Sequence, residues 1–182
     1  MNCPDCRTPL RQTDYHGINI DECPSCLGRW FDRDELRRAK DRTDQYLRWL
    51  DFDPFAGDGS APAATGYARL CPRCSLKMGV IVYETSGVLI DKCSSCHGVW
   101  LNHGEFEKII KHLKKETSTE TAAQYRIDVE RQFEQILTGP EGPISELRDF
   151  FAVFNLLEMR LAVEHPNLAA AVQDIYLSSP FK

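Results

Sequence analysis

The sequence predicts a small metal-stapled α+β protein, with two tandem cysteine-rich units followed by an α-helical C-terminal domain. Three observations lead to this prediction. The 182-residue chain has eight cysteines, and all of them fall in CxxC pairs. The pairs belong to two copies of one long motif, "DECPSCLGRWFDRDEL" at 21–36 and "DKCSSCHGVWLNHGEF" at 91–106. From residue 117 onward the chain has no cysteine and few turn-forming residues.

The alignment of the two copies sets the expected domains. Placing Cys3 on Cys71 superimposes "CPDC" on "CPRC" and, after a two-residue length difference, "GINIDECPSC" on "GVLIDKCSSC". We expect a first unit with a trailing helix at 1–52, a flexible linker at 53–69, a second unit with a trailing helix at 70–116, and an acidic helical domain at 117–182. Because the linker is rich in Gly, Ala and Pro, the two units are expected to behave as separate beads.

Alternating apolar residues predict strands before the second CxxC of each unit. Ile18 and Ile20 mark one strand, and "GVIVYE" with "GVLID" predicts a hairpin that turns near Ser86-Gly87. Each motif then enters a helix through capping-box spacing, Asp32 to Glu35 and Asn102 to Glu105. Apolar residues at helical spacing carry these helices to Leu50 and to Leu113.

The last third of the chain predicts three helices. The first covers about 119–137 and is stopped by "GPEGP", the second begins near Ile144 and ends before Pro166, and the third covers 167–177. Phe150, Phe151, Phe154 and Leu157 form one apolar stripe, which indicates either a core or a dimer face.

The cysteine spacing predicts two zinc sites. Within each unit the CxxC pairs are 16 or 18 residues apart, which matches the spacing of a four-cysteine zinc site. A unit of this size buries too little apolar surface to fold alone, whereas structural zinc supplies about 10–16 kcal/mol of apparent binding energy. Gly28 and Gly98 are expected to have positive φ next to the metal. The predicted ligands are Cys3, Cys6, Cys23 and Cys26 for one ion, and Cys71, Cys74, Cys93 and Cys96 for the other.

The same cysteine pairs are compatible with other chemistry. A four-thiolate site also accepts iron, and spacing does not separate the two metals. Reversible disulfides that release zinc remain open as a secondary chemistry. The stretch "CSSCH" at 93–97 matches a haem-attachment motif, but His97 stands where the first copy has Leu27, so we regard the match as accidental.

The two units resemble the bacterial transcription-factor-IIB-type zinc-ribbon family (zf-TFIIB). The resemblance is carried by "CPDC…INIDECPSCLGRWFDRDEL" and "CPRC…VLIDKCSSCHGVWLNHGEF". It implies two tandem zinc ribbons and, through the family name, a link to transcription. Asp34, Ser94 and Phe106 depart from the family pattern without removing a ligand. The helical third is not covered.

The sequence favours an interaction protein over an enzyme. It has no Gly-rich phosphate loop and no nucleophile–base pair, so no catalytic residue is predicted. The net charge of −5 counts against non-specific nucleic-acid binding, but Lys108, Lys111 and Lys115 share one face of a predicted helix and are the candidate nucleic-acid contacts. We expect a macromolecular partner, protein or nucleic acid, and consider a homodimer through the C-terminal helices. A thiol-redox or zinc sensor is the remaining alternative.

The expected location is the cytoplasm. Only two residues precede the first cysteine, which leaves no room for a signal peptide, and thiols in a reducing compartment are more often ligands than disulfides. Trp30 and Trp100 are expected to cover the small metal-stapled cores, and Glu35 and Glu105 to cap helices.

Overall fold

The computed structural model describes residues 1–50, 69–83, 86–139 and 142–167. The chain divides into two compact units. The first combines 1–44 with the described part of 51–115, and the second combines 45–50 with the described part of 116–182. Both zinc-ribbon repeats therefore lie in the same unit. The predicted linker, except Arg69, and the predicted third helix, except Asn167, lie outside the described residues.

The first unit is built around one six-stranded antiparallel sheet. The strands are β1 (Arg11–Tyr15), β2 (Ile18–Glu22), β3 (Arg29–Phe31), β4 (Gly79–Val82), β5 (Leu89–Lys92) and β6 (Val99–Leu101). Their order in the sheet is β1-β2-β3-β6-β5-β4, so β3 of the first ribbon pairs with β6 of the second. The predicted strands and the predicted hairpin are confirmed. The expectation of two separate beads is wrong, because the ribbons share one sheet.

The short strands at the centre explain this fusion. Strands β3 and β6 have three residues each, and nearly all of these residues are buried. Trp30 faces Trp100 across the junction, and each indole has an exposed fraction of 0%. Burying an aromatic side chain contributes about 1.5–3 kcal/mol. Pairing of β3 with β6 is therefore what covers the apolar residues at the inner edge of each ribbon.

The helices are α1 (Glu35–Thr43), α2 (Glu105–Thr119), α3 (Ala122–Thr138) and α4 (Pro143–Glu164), with a 3₁₀ turn at Gln45–Leu47. The prediction that the first trailing helix reaches Leu50 is wrong, since α1 ends at Thr43 and Asp44 has an extended backbone. The apolar residues beyond that point serve another purpose. Trp49 packs with Tyr125 and Val153 in the core of the helical unit.

Helices α3 and α4 form an antiparallel pair in the second unit. Ala122 contacts Glu164, and Phe133 contacts Phe150, so the two helices run in opposite directions. A capping box at Thr121 begins α3, and Pro143 occupies the first turn of α4. These bounds agree with the two helices predicted on either side of "GPEGP".

The apolar stripe of α4 is divided between core and surface. Ala152 and Val153 are buried, and Leu157 packs partly against the same cluster. Phe151 and Phe154 are exposed to 52% and 36%, so the interpretation of the whole stripe as core is wrong. The buried positions lie one to two residues away from Phe151 and Phe154, whereas Phe150 is half-buried and contacts Phe133 of α3. No helix among the described residues is long and apolar enough to cross a membrane.

Candidate metal centres and ribbon interface

Each CxxC pair forms the same tight backbone turn. The amide of the residue that follows the pair donates to the carbonyl oxygen of the first cysteine, at 2.9–3.0 Å. The residues that donate all have positive φ, and they are Arg7, Leu27, Ser75 and His97. Gly28 and Gly98 do not belong to this group, so their predicted positive φ is wrong. The left-handed position lies one residue earlier, where it bends the chain back around the sulfurs.

The turns bring the eight predicted ligands into two groups of four. In each group all four Sγ atoms lie within 4.8 Å of one another. The shortest pairs are Cys6–Cys23 and Cys74–Cys93 at 3.3 Å, followed by Cys3–Cys26 and Cys71–Cys96 at 3.5 Å. A regular tetrahedron with zinc–sulfur bonds of about 2.3 Å has sulfur–sulfur edges of about 3.8 Å. Each group therefore fits one zinc ion, which gives two ions for the chain.

The surroundings of the sulfurs decide how readily each thiol loses its proton. Burial raises the pKa of Cys3 to about 12, and burial likewise raises the pKa of Cys71 and Cys26. Cys6 is exposed, and hydrogen bonding with Thr8 lowers its pKa to about 6. Buried thiolates are costly without a compensating charge, and a bound divalent ion reverses that balance and deprotonates all four. With four protein ligands the coordination shell is closed, which is the arrangement of a structural site.

Gly28 and Gly98 are required by the indole of the opposite ribbon. A Cβ on Gly98 would overlap the ring of Trp30, with Cη2 at 2.6 Å and Cε2 at 2.8 Å. A Cβ on Gly28 would overlap Trp100, with Cη2 at 2.9 Å and Cε2 at 3.0 Å. The motif CxxCxGxW therefore pairs with its own second copy. The glycine of each ribbon provides the space that the tryptophan of the other ribbon fills.

Both indoles also cover the metal groups. Trp30 and Trp100 lie in one buried cluster with the first cysteines of all four pairs. The predicted role of the tryptophans as covers of the metal-stapled core is confirmed. Trp30 donates its Nε1–H to Asp32 at 2.9 Å.

Arginines connect the two ribbons across the sheet junction. Arg29 of the first ribbon binds Glu22 at 2.9 Å and Glu107 of the second ribbon at 2.7 Å. Arg73 of the second ribbon binds Asp32 of the first at 2.8 Å. These contacts were not predicted from the sequence, because nothing local indicates which acid faces which arginine.

Arg69 is the one of these three arginines whose acidic partner is most buried. It binds Asp5 of the first ribbon at 2.5 Å and Asp91 of the second at 2.6 Å, and it donates to Asn102 at 3.1 Å. The side chain of Asp91 is only 4% exposed. Burial raises the pKa of Asp91, while the guanidinium of Arg69 opposes that shift. Arg69 therefore holds a buried carboxylate and ties two knuckles together.

The helix entries follow the predicted capping pattern in part. The prediction of Asp32 as the N-cap of α1 is wrong, because a turn from Asp32 to Glu35 comes first and Asp34 is the N-cap, without a side-chain cap hydrogen bond. Glu35 accepts from the backbone amide of Asp32 at 2.9 Å, and Glu105 from that of Asn102 at 2.7 Å. Both glutamates are thus structural. Asp34 has φ 66° at the position where the second ribbon has Gly104 with φ 78°. That left-handed backbone explains why the family pattern has glycine there.

The candidate nucleic-acid contacts lie on the outer face of α2. Lys108, Lys111 and Lys115 are exposed, while Phe106, Ile109, Ile110 and Leu113 are buried on the opposite face. The amphipathic pattern is confirmed, and nucleic-acid contact by the lysines stays a prediction. Among the described residues, the two metal-binding groups contain cysteine only, so no histidine joins them.

Comparison with known protein families supports this interpretation of the two ribbons. A family model described as transcription factor zinc-finger (Zn_ribbon_TFIIB) matches residues 2–42 and again residues 70–112. The two matches contain all eight cysteines, both glycine–tryptophan pairs and both helix entries. The helical unit lies outside them. Searches of curated proteins and of solved structures found no match.

Proposed function

We propose that this chain, whose residues 2–42 and 70–112 belong to the transcription-factor zinc-finger family, is a non-enzymatic scaffold that presents binding surfaces to a macromolecular partner. The supporting observation is the fused sheet with its two four-thiolate groups. All ligand positions of each group are protein sulfurs, which leaves no place for a substrate on the metal. Both ions lie at the junction cluster, so their role is to hold the sheet together.

This proposal is tested by separating metal binding from partner binding. The zinc-loaded chain and a chain treated with excess chelator are each used to capture partners from an extract in which the protein is made. We expect capture by the zinc-loaded form alone, and we expect the captured material to be protein or nucleic acid. Turnover of a small molecule that depends on the bound zinc would contradict the proposal.

Nucleic acid is the first candidate partner, in line with the family. The segment 69–115 carries eight Lys and Arg residues against four acidic ones, whereas 1–44 carries eight against nine. Lys108, Lys111 and Lys115 project from the same region of positive charge. Such a surface suits phosphate contacts that lose affinity as salt rises.

The test is a fluorescence anisotropy titration with random-sequence duplex DNA and single-stranded RNA. The variant Lys108→Gln/Lys111→Gln/Lys115→Gln is expected to weaken binding and to reduce the slope of log K against log salt by about two to three. The matched control is Arg33→Gln/Arg37→Gln/Arg38→Gln on α1 and its entry. An equal loss in both variants, or no salt dependence, would remove α2 as the nucleic-acid surface.

A protein adaptor is the second candidate, and the helical unit favours it. The exposed large apolar side chains of α3 and α4 are Ile127, Phe133, Leu137, Ile144, Leu147, Phe151, Phe154, Met159, Leu161 and Val163. Exposed apolar area of this kind marks an interaction surface. An antiparallel helix pair is half of a four-helix bundle, so a homodimer through α3 and α4 would cover these residues.

Sedimentation of the full chain over a range of concentrations tests the homodimer. We expect a dimer that Phe151→Glu/Phe154→Glu converts to a monomer without loss of helix content. The control Arg126→Gln/Glu130→Gln changes exposed polar residues of the same unit and should leave the dimer intact. A monomer at every concentration would assign this face to another protein.

A thiol or zinc sensor is the remaining candidate. Cys6 is exposed and its Sγ lies 3.3 Å from that of Cys23, so peroxide could oxidise the two thiolates to a disulfide and be reduced to water, releasing zinc. Zinc retained under mild peroxide would contradict this role.

A further inference from the structure

The two ribbons differ systematically in the surface residues of the first knuckle and of the hairpin that follows it. At five exposed or half-buried positions the second ribbon has an apolar residue where the first ribbon has a polar one. The pairs, second ribbon first, are Leu70 and Asn2, Leu76 and Thr8, Val80 and Gln12, Val82 and Asp14, and Leu89 and Asn19. Since the first ribbon reaches the same fold with polar residues there, folding does not require the apolar ones. They need a separate explanation, and covering by a partner provides one.

These residues border an edge of the sheet. Strand β4 is outermost in the strand order, and among the described residues no strand pairs with its outer side. The amide of Tyr83 donates to Val88 across the hairpin at 2.8 Å. Because hydrogen-bonded pairs alternate in an antiparallel ladder, Val80 and Val82 direct their N–H and C=O groups away from β5. The outward amide of Met78 donates to the carbonyl of Arg69 at 2.9 Å, which confirms this direction.

The opposite edge of the sheet is protected in a way that β4 is not. Strand β1 reads Arg-Gln-Thr-Asp-Tyr, with charged Arg11 and Asp14 on an exposed strand. Strand β4 reads Gly-Val-Ile-Val and has no charge and no proline. Charged side chains are the usual means by which an edge strand avoids pairing with another chain. Only one of the two equivalent edges is left able to pair.

A groove of about 950 Å³ is lined by residues of the first knuckles of both ribbons and by Val80 of β4. Asp5, Asp91 and Glu105 also line it, and both aspartates are paired with Arg69. Leu70, Val80 and Leu89 line it, and the Arg69–Asp91 ion pair closes one wall. Leu70 and Leu89 are exposed to 53% and 43%. A side chain on a strand added next to β4 would therefore have an apolar slot to enter.

The charge around the edge indicates what kind of strand fits. Arg7 lines the groove, and Lys77 lies exposed just before β4. Neither makes an ion pair with any residue the structure describes, whereas Arg69 is fully engaged. An incoming segment with acidic residues beside its apolar ones would complement both cations.

We propose that the outer edge of β4 binds an extended acidic–apolar peptide segment of a partner protein. The segment would add a seventh strand through the outward backbone groups of Val80 and Val82. Alternate apolar side chains would enter the slot formed by Leu70, Val80 and Leu89. This mode of recognition combines main-chain hydrogen bonds with pockets for every second side chain. The inference rests on the proposed function as an interaction scaffold and assigns one of its surfaces.

The test begins with a displayed library of random twelve-residue peptides, selected on the zinc-loaded full chain. A counter-selection uses the variant Val80→Gln/Val82→Asp/Leu89→Asn, which carries the residues of the first ribbon. Because the first ribbon folds with those residues, the variant is expected to keep two zincs and an intact sheet. We expect the enriched peptides to have alternating apolar residues and at least one acidic residue. Their dissociation constant should be at least tenfold larger for the variant than for the wild type.

An enriched peptide is then titrated into the ¹⁵N-labelled full chain. The amides of Val80 and Val82 should become protected from hydrogen exchange, while those of Gln12 and Asp14 on the opposite edge should not change. N-methylation of alternate residues of the peptide should abolish binding in one register and spare it in the other, since only every second amide faces β4.

Several results would overturn the inference. They are no peptide enriched over the variant, enriched peptides whose shifts map to α2 or to the helical unit, or protection of Val80 and Val82 before any peptide is added. The last would show that the chain itself, or a second copy, already covers this edge. Binding of nucleic acid or of a partner through α3 and α4 would leave the scaffold function standing while this surface failed. Loss of every macromolecular partner would remove both.

Discussion

The contact between Gly98 and Trp30 allows a direct test of the fused sheet. In Gly98→Ala the new Cβ would lie 2.6 Å from Cη2 and 2.8 Å from Cε2 of the indole, against an optimal carbon–carbon separation of about 3.5–4.0 Å. The nearest ring atom, Cζ2, would lie closer still, so the ring must move by more than about 1 Å although it is fully buried at the centre of the sheet. Overpacking of a core costs about 1–3 kcal/mol, and we expect the upper end.

Denaturant titration of the full chain at a fixed excess of zinc measures this cost. The matched control is Gly79→Ala at the start of β4, whose Cβ would meet only Lys92 Cγ at 4.0 Å. It should leave stability within about 1 kcal/mol of the wild type. Trp30→Leu should partly relieve Gly98→Ala in a double-mutant cycle, with a coupling of about 0.5–3 kcal/mol. Equal stabilities of Gly98→Ala and Gly79→Ala, or no coupling, would refute the reciprocal packing.

Three further changes have defined outcomes. Arg69→Met leaves the buried carboxylate of Asp91 without its partner and should lower the free energy of unfolding by about 3 kcal/mol. Arg73→Met breaks an exposed pair with Asp32 and should lower it by less than about 1 kcal/mol. Equal losses of stability in denaturant titrations would contradict this difference. Burial and neighbouring carboxylates raise the pKa of Glu120 to about 7 from 4.5, so its charged form destabilises the fold above pH 7 and the penalty disappears below pH 4.5. Glu120→Gln should therefore gain about 1 kcal/mol at pH 8, after allowance for screening, and nothing near pH 4, while a gain that is equal at both values would exclude titration of this group. Excess chelator should abolish the strand signal in circular dichroism and retain a helical signal from the second unit, and loss of both signals together would show that the helical unit depends on the metal.

Local sequence features predicted most of the elements and all of the metal ligands. CxxC spacing identifies the ligands because each pair closes its own short turn, whatever the rest of the chain does. The capping glutamates are equally local, since Glu35 and Glu105 bond back over three residues. Alternation at Ile18 and Ile20 was enough to place β2, whose inward residues are buried.

Features that depend on contacts between the repeats were not predicted. Gly28 and Gly98 were assigned positive φ from their place beside the metal turn, but their role is to admit an indole seventy residues away in sequence. The pairing of β3 with β6 was not predicted for a similar reason, since strands of three residues give almost no periodic signal. The repetition of glycine and tryptophan at a fixed interval was the available signal for both.

The end of α1 shows a competition that sequence alone does not resolve. The residues after Thr43 keep helical spacing, yet Trp49 gains more by joining Tyr125 and Val153 in the helical unit. Its carbonyl accepts from the buried amide of Gln132 at 3.2 Å, which fixes the segment there. Tertiary packing therefore decided against the local helical pattern.

Native mass spectrometry of the full chain measures directly whether two structural zinc ions accompany the one folded sheet. We expect two zinc ions on the folded wild-type chain and one on the variant Cys93→Ser, with eight free thiols once the wild type is denatured. A folded chain that carries no metal, or a sheet that stays intact after both ions are removed, would contradict this expectation.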